Sequence, residues 1–318
     1  MGLESKVKDF GRIAVLMGGV SSEREISLKS GKAVFDALKQ QGFDAVSVDL
    51  LSENPQEVAQ SVRLQNPDCV FLALHGHFGE DGGIQAVLDG LNITYTGSGA
   101  KASKLAMDKV ASRKIFSFGG LSVPESTVLL KQGSSPEQIK NLNILLPAVI
   151  KPSTNGSSIG LSIIDDAKDL DKAIKLAFEF DDTVIIERFI KGRELTVGIL
   201  ADQALPVIEI IPKRRFFDYE AKYQSGMTDY IVPAKIDSEV AKKTQEAALS
   251  AHRLLGCYGC SRVDVIFNED LGPVVLEVNT IPGMTSTSLL PKSAKVAGID
   301  FIGLCVKLIE LAYEKAKQ

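Results

Sequence analysis

A combined α/β and α+β fold class follows from three features of the 318-residue sequence. Short apolar runs alternate with helix-period segments through the first third, which implies right-handed βαβ crossovers and a parallel, Rossmann-like N-terminal sheet. Glycine turns punctuate that region at Gly18-Gly19 and at Gly97-Ser98-Gly99. Beyond them, paired strands flank a Gly/Ser loop and a second strand-rich stretch follows, the order expected of an α+β unit.

Residues 12–17 form the first strand, and Ser21-Ser22-Glu23-Arg24-Glu25 opens a helix that runs to residue 40. A strand over 43–50, a helix over 55–65 and a strand over 69–74, ending at His75, complete the alternation. A helix is expected over 103–118, a strand over 124–130, then a polar loop through Gly133-Ser134-Ser135-Pro136. The runs 145–151 and 160–164 read as antiparallel strands joined by Pro152-Ser153-Thr154-Asn155-Gly156-Ser157-Ser158. A helix over 166–180 and a strand over 183–190 close that unit. Strands over 195–200 and 205–211 precede a polar, aromatic segment, 213–231, whose lack of periodicity predicts a long loop over a site. A helix over 238–255, strands over 262–267 and 274–278 around Asp270 and Gly272, and closing helices follow. The expected units are 1–98, 99–190 and 191–318.

With 36 basic and 40 acidic residues the chain lacks the charge of a nucleic-acid or acidic-membrane binder. No apolar run reaches the ~18–20 residues of a membrane span, and residues 1–12 lack the apolar stretch of a secretory signal. Four cysteines without framework spacing suggest a reducing compartment, so a soluble cytoplasmic protein is expected. Cys257 and Cys260 form a CxxC, but no second ligand pair accompanies it and a strand-like run rather than a helix follows. They read as small buried apolar residues.

Four groups of residues carry candidate chemistry. Asp264 stands nearly opposite Glu277 across a short turn, and Asn279 shares the face of Glu277. Together they offer hard oxygen ligands suited to Mg²⁺, although strand alternation also produces such patterns on a solvated hairpin face. The loop 151–160 presents backbone N–H groups, hydroxyls and the Lys151 ammonium to a phosphate, or it is a flexible hairpin linker. No GxxxxGK[ST] is present, which excludes a P-loop. Glu187 and Glu194 bracket Phe189-Ile190 where carboxylates can accept from an adenine amino group and ribose hydroxyls, though taken alone they read as surface glutamates. Glu23 follows Gly18-Gly19 at the carboxyl end of a strand, where parallel sheets bind ligands, and suits helix capping equally. The GxGxxG of a dinucleotide site is missing.

Taken in order, these pieces resemble the ATP-grasp superfamily and, more closely, its D-alanine–D-alanine ligase family. The matching segments are the run from Ile13 to Ser27, Leu74-His75-Gly76 with Gly79-Glu80-Asp81-Gly82, Tyr95-Thr96-Gly97-Ser98-Gly99, and Met107-Asp108-Lys109. Lys151-Pro152-Ser153 with Gly156-Ser157-Ser158, Asp218-Tyr219-Glu220-Ala221-Lys222-Tyr223, Arg262-Val263-Asp264 and the run from Leu276 to Thr285 complete the set. The resemblance spans nearly the whole chain.

It implies an ATP-grasp fold that forms D-alanyl-D-alanine for peptidoglycan synthesis and cell shape. Lys109 and Lys151 would contact ATP phosphates beneath a loop carrying Ser157 and Ser158. Glu187 and the Ile190 backbone would hold adenine, with Phe189 beside it and Glu194 on the ribose. Asp264, Glu277 and Asn279 would hold two Mg²⁺, which Mn²⁺ can replace. Glu23 would anchor the first D-alanine ammonium, linked through Ser157 to Tyr223, while Arg262 and the Gly283 N–H would stabilise the oxyanion. Lys222, Ser288 and Leu289 would receive the second D-alanine, with His75 near the substrates. Tyr223 favours a dipeptide over an ester product, and a homodimer is expected. His77 and the CxxC match no family role.

Overall fold

The computed structural model describes residues 10–133, 142, 144–156, 158–213 and 228–317. Strand β1 (Ile13–Gly18) lies between β2 (Ala45–Leu50) and β3 (Cys69–Leu72), with β4 (Thr94–Tyr95) beyond β3. All are parallel. Every residue of β1 and β3 is buried, as strands covered on both faces require. Helix α1 (Arg24–Gln40) packs on one face, and α2 (Pro55–Arg63) and α3 (Gly83–Leu91) on the other. The buried stripe of α1 is Ser27, Ser30, Gly31, Val34 and Leu38, the spacing of a single helical face. A Cβ on Gly31 would sit 2.4 Å from that of Met17, so its absence lets helix and strand approach closely.

The sequence pattern does not reveal α3 or β4. Left-handed Gly82 (φ 96°) ends the preceding turn, where the Asp81 carboxylate accepts from the N–H groups of Phe78 and Gly83. The expected helix over 103–118 is two helices, α4 (Ala100–Met107) and α5 (Lys109–Phe118). Asp108 breaks them with an extended backbone (ψ 99°), and its carboxylate accepts from the Val110 and Ala111 N–H groups. This N-cap is invisible to periodicity, because the apolar spacing continues across it.

A second sheet, all antiparallel, contains β5 (Ser126–Leu130), β6 (Ala148–Pro152), β7 (Ser162–Ile164) and β8 (Thr183–Arg188) in the order β5-β8-β6-β7. Helix α6 (Leu170–Ala177) covers it through Ala173, Ile174 and Ala177.

The third sheet consists of β9 (Arg193–Leu200), β10 (Gln203–Ala204), β11 (Ile208–Pro212), β12 (Thr228–Ile231), β13 (Cys260–Asn268) and β14 (Gly272–Asn279). Its order is β12-β11-β9-β13-β14, with β10 on β9. The segment expected as a loop over 213–231 therefore ends in a strand paired with β11; residues 214–227 lie outside the described residues. Leu195, Val197, Ile199, Val263 and Val265 form one apolar face under α7 (Ser238–Leu254), leaving the other face for polar groups. Helix α8 (Leu289–Val296) packs on β9, whereas α9 (Phe301–Lys315) returns to α1, β3 and β4. Cys260 is buried in the core that α9 completes, and burial pushes both the Cys257 and Cys260 thiols up to about 12. Both behave as packing residues.

Candidate active site

Two adjoining cavities of about 550 Å³ each open where the three sheets meet. Lys109 and Glu277 line both, and the Lys109 Nζ lies 3.4 Å from a Glu277 carboxylate oxygen. The helix break at Asp108 makes Lys109 the first residue of α5, and its ammonium also donates to the Asn155 carbonyl at 2.8 Å. One side chain thus connects the Gly/Ser loop with the strand that carries Glu277.

The β13–β14 ladder is as the turn length predicts. Asp264 pairs with Glu277 and Arg262 with Asn279, so four polar side chains occupy one face. A bulge beside Asp264 skips Leu276, bringing Leu276 and Glu277 to the same cavity. Both Asp264 oxygens are engaged: Arg262 donates to them at 3.0 and 2.9 Å, and the Thr196 hydroxyl donates at 2.6 Å. The Asn279 Oδ1 accepts from the Ile281 N–H and keeps a second lone pair. Two carboxylates and a carboxamide on adjacent strands, with a lysine alongside, fit a hard divalent cation that also carries phosphate oxygens. Thr280 lines the same region, and its buried hydroxyl has no partner among the described residues.

The cavity bounded by β6, β7, β8 and β11 contains Lys151, Ser158, Glu187, Phe189, Ile190, Glu194 and Asp264. Its wall conceals a charge cluster: buried Glu187 bridges Lys151 at 3.0 Å and Arg113. Burial works against the Glu187 carboxylate, but the two cations outweigh it and hold it ionised. Burial lowers the Lys151 ammonium to about 8, opposed by Glu187. Glu187 is therefore a buried counter-ion as well as a lining group. The sequence pattern does not reveal Arg113, since an arginine on an amphipathic helix gives no signal that it points inward. Its Nε and Nη2 have no partner among the described residues. Thr154 and Asn155 tether the loop between β6 and β7 to Asp181 and the Phe180 carbonyl.

Glu23, His75, Arg262, Asn279, Gly283, Ser288 and Leu289 converge on the other cavity. Glu23 is buried at the N-cap position of α1 and makes no capping bond through its side chain. Its carboxylate lies between two glycines: a Cβ would come within 2.9 Å of it at Gly76 (φ 73°) and 3.4 Å at Gly156. The left-handed backbone at Gly76 favours glycine there. His75 Nδ1 lies 3.3 Å from Glu80, which also accepts from the Gly76 N–H at 3.1 Å. Burial raises the Glu80 carboxyl, and Glu23 adds to the rise against His75 and the Gly76 N–H. Ser288 Oγ accepts from the Thr285 N–H and lies 2.8 Å from the Thr285 hydroxyl. The structure thus assembles every described site residue into two joined cavities. Ser157, Lys222 and Tyr223 lie outside the described residues.

Comparison with known proteins decides the family. The family models described as "D-ala D-ala ligase N-terminus" and "D-ala D-ala ligase C-terminus" match residues 47–98 and 115–310. The D-alanine–D-alanine ligase of Geotalea uraniireducens (strain Rf4) is 45% identical over 307 residues, covering 96% of this chain and 97% of that protein. The chain belongs to the D-alanine–D-alanine ligase family. The D-alanine–D-alanine ligase of Citrifermentans bemidjiense is 47% identical over 95% of this chain and 96% of its own length. Among solved structures, the D-alanine–D-alanine ligase of Bacillus anthracis complexed with ATP superposes with a TM-score of 0.84. That structure is 33% identical and covers 96% of this chain and 99% of its own. The VanG D-Ala:D-Ser ligase of Enterococcus faecalis gives a TM-score of 0.82 at 34% identity, covering 95% of this chain and 99% of its own. The expected ATP-grasp architecture with an N-terminal parallel sheet is therefore that of the family, and the enzyme class is that of an ATP-dependent ligase. Among the described residues no helix is long and apolar enough to cross a membrane.

Proposed function

We propose that this chain joins two molecules of D-alanine at the expense of ATP, through an acyl phosphate of the first. The observation that carries the reading is the shared wall. Lys109 and Glu277 belong to both cavities, so a nucleotide's terminal phosphoryl in one can meet a carboxylate in the other. A nucleotide would lie with adenine against Phe189 and the Ile190 backbone, its amino group near Glu187 and its ribose on Glu194. Lys151, Lys109 and the loop carrying Ser157 and Ser158 would neutralise its phosphates. Asp264, Glu277 and Asn279 would hold Mg²⁺ or Mn²⁺ there, which supplies charge neutralisation for phosphoryl transfer.

On the other side Glu23 would take the ammonium of the first D-alanine, assisted by Ser157 and Tyr223. The carboxylate of that D-alanine then attacks the γ-phosphorus and ADP leaves. The amine of the second D-alanine, received by Lys222, Ser288, Leu289 and His75, attacks the acyl carbon. Arg262 and the Gly283 N–H would stabilise the oxyanion before phosphate departs with the proton the amine gives up. Closure of the Gly/Ser loop excludes water, which would otherwise hydrolyse the acyl phosphate. The same reading makes the protein a cytoplasmic homodimer supplying peptidoglycan synthesis, and places the unit boundaries near residues 98 and 190.

The test is phosphate release and product identity with ATP, Mg²⁺ and D-alanine. D-alanyl-D-alanine is expected, with no turnover on L-alanine alone. D-serine and D-lactate, each offered with D-alanine, report acceptor choice. Preferred formation of a mixed product would replace the acceptor assignment, and the absence of ADP formation with any of them would remove the ligase reading.

A further inference from the structure

Ser30 is fully buried on α1, yet its hydroxyl joins three distant segments. It accepts from the Met284 N–H at 3.2 Å, across 254 residues, and lies 3.1 Å from His75 Nε2. The other ring nitrogen of His75 faces Glu80 at 3.3 Å. The geometry points to Ser30 as a positioning residue: it anchors the Gly283-Met284 turn to α1 and sets the tautomer of His75. Its place in catalysis rests on the proposed ligase reading, in which the Gly283 N–H faces the reacting carbonyl and His75 faces the substrates.

Proton counting supports this role. Ser30 has one hydroxyl proton, and its oxygen already accepts from the Met284 amide. Among the described residues the hydroxyl's other partner is His75 Nε2, and donation there leaves the imidazole proton on Nδ1, directed at Glu80. The resulting chain runs Met284 N–H to Ser30, Ser30 to His75, and His75 to Glu80. Ser27, one turn earlier on the same buried stripe, makes a contrasting pair of bonds. It accepts from the Gly18 N–H and donates to the Ala73 carbonyl, each at 2.8 Å, and its bonds reach neither His75 nor the 283–284 turn. The two serines separate a purely structural hydroxyl from a positioning one.

The chain has three histidines, so a nitrogen-15 spectrum of the imidazoles resolves the question in the intact protein. His77 is exposed and His252 is buried beside Ser261, its pKa lowered by burial to about 4, so His75 is identifiable. The wild type is expected to show His75 protonated on Nδ1. Ser30→Ala should release Nε2, so that the Nε2–H form is populated, and lower kcat by about tenfold with KM for ATP within about twofold. Ser27→Ala should lower Tm and leave the His75 nitrogen shifts in place. Ser30→Cys, isosteric with a weak S–H donor, gives the same direction if Ser30→Ala does not fold. Two results would overturn the inference: an Nε2–H tautomer in the wild type, with Glu80 carrying the proton, or His75 shifts and kcat unchanged in a folded Ser30 variant. The tautomer readout does not depend on turnover. Loss of Nδ1–H in Ser30→Ala, with a wild type inactive on D-alanine, would keep Ser30's link to His75 while the ligase reading fell.

Discussion

The two cavities are alike in size but are held together differently. In the cavity lined by Lys151 and Glu187, the charged groups come from neighbouring antiparallel strands and a single helix, and they neutralise one another. Glu187 sits between Lys151 and Arg113, and Asp264 is clasped by Arg262. In the cavity lined by Glu23 and His75, the groups come from α1, the 75–80 turn, β13, β14 and the 283–288 segment, joined by hydrogen bonds such as those of Ser30. The difference shows two ways of holding buried polar groups: pairing charges within a sheet, or satisfying each group through distant backbone. The shared wall of Lys109 and Glu277 couples them, and substitutions there should affect both.

The largest effect is expected at that wall. Glu277→Gln keeps the shape but removes a carboxylate common to both cavities, and kcat should fall on the order of a thousandfold in a folded protein. Near-normal phosphate release would dissolve the coupling. Arg262→Ala should cost about a hundredfold, because it removes the proposed oxyanion donor and leaves Asp264 short of its bidentate partner. Circular dichroism separates that loss from unfolding.

On the nucleotide side alone, the effect should depend on pH. Lys151 carries its proton below about 8 in the free protein and loses it above, because burial disfavours the ammonium. KM for ATP should therefore rise as pH passes 8, by up to about tenfold per unit, with KM for D-alanine rising less. Steady-state kinetics over pH 6.5–9.5 would show it, and a flat KM for ATP would remove Lys151 from phosphate binding. The smallest effect belongs to Asp108→Ala, which removes the cap that aims Lys109. It should cost about 1 kcal/mol and lower Tm by a few degrees, with a modest rise in KM for ATP. Differential scanning calorimetry beside kinetics tests both.

Much of this is legible in the amino-acid sequence. The alternation of strand and helix, the turn that places Asp264 opposite Glu277, and the loop after Lys151 are local patterns, and each survives in the structure. The breaks are not. Asp108 interrupts a helix whose apolar period runs on, and β12 closes a segment without strand alternation. In both places a side-chain cap or a cross-strand partner decides the backbone, and neither is visible in the spacing of apolar residues.

The sequence by itself determined the family, the sheet classes and most of the residues that line the site, because those depend on patterns a few residues long or on motifs held in order. Only the tertiary structure decided that Lys109 and Glu277 form a common wall, that Arg113 is the buried partner of Glu187, and that Ser30 meets both His75 and Met284. Those relations depend on contacts between residues tens to hundreds of positions apart. Such contacts come from the packing of whole elements around a shared core, and no local propensity carries that information.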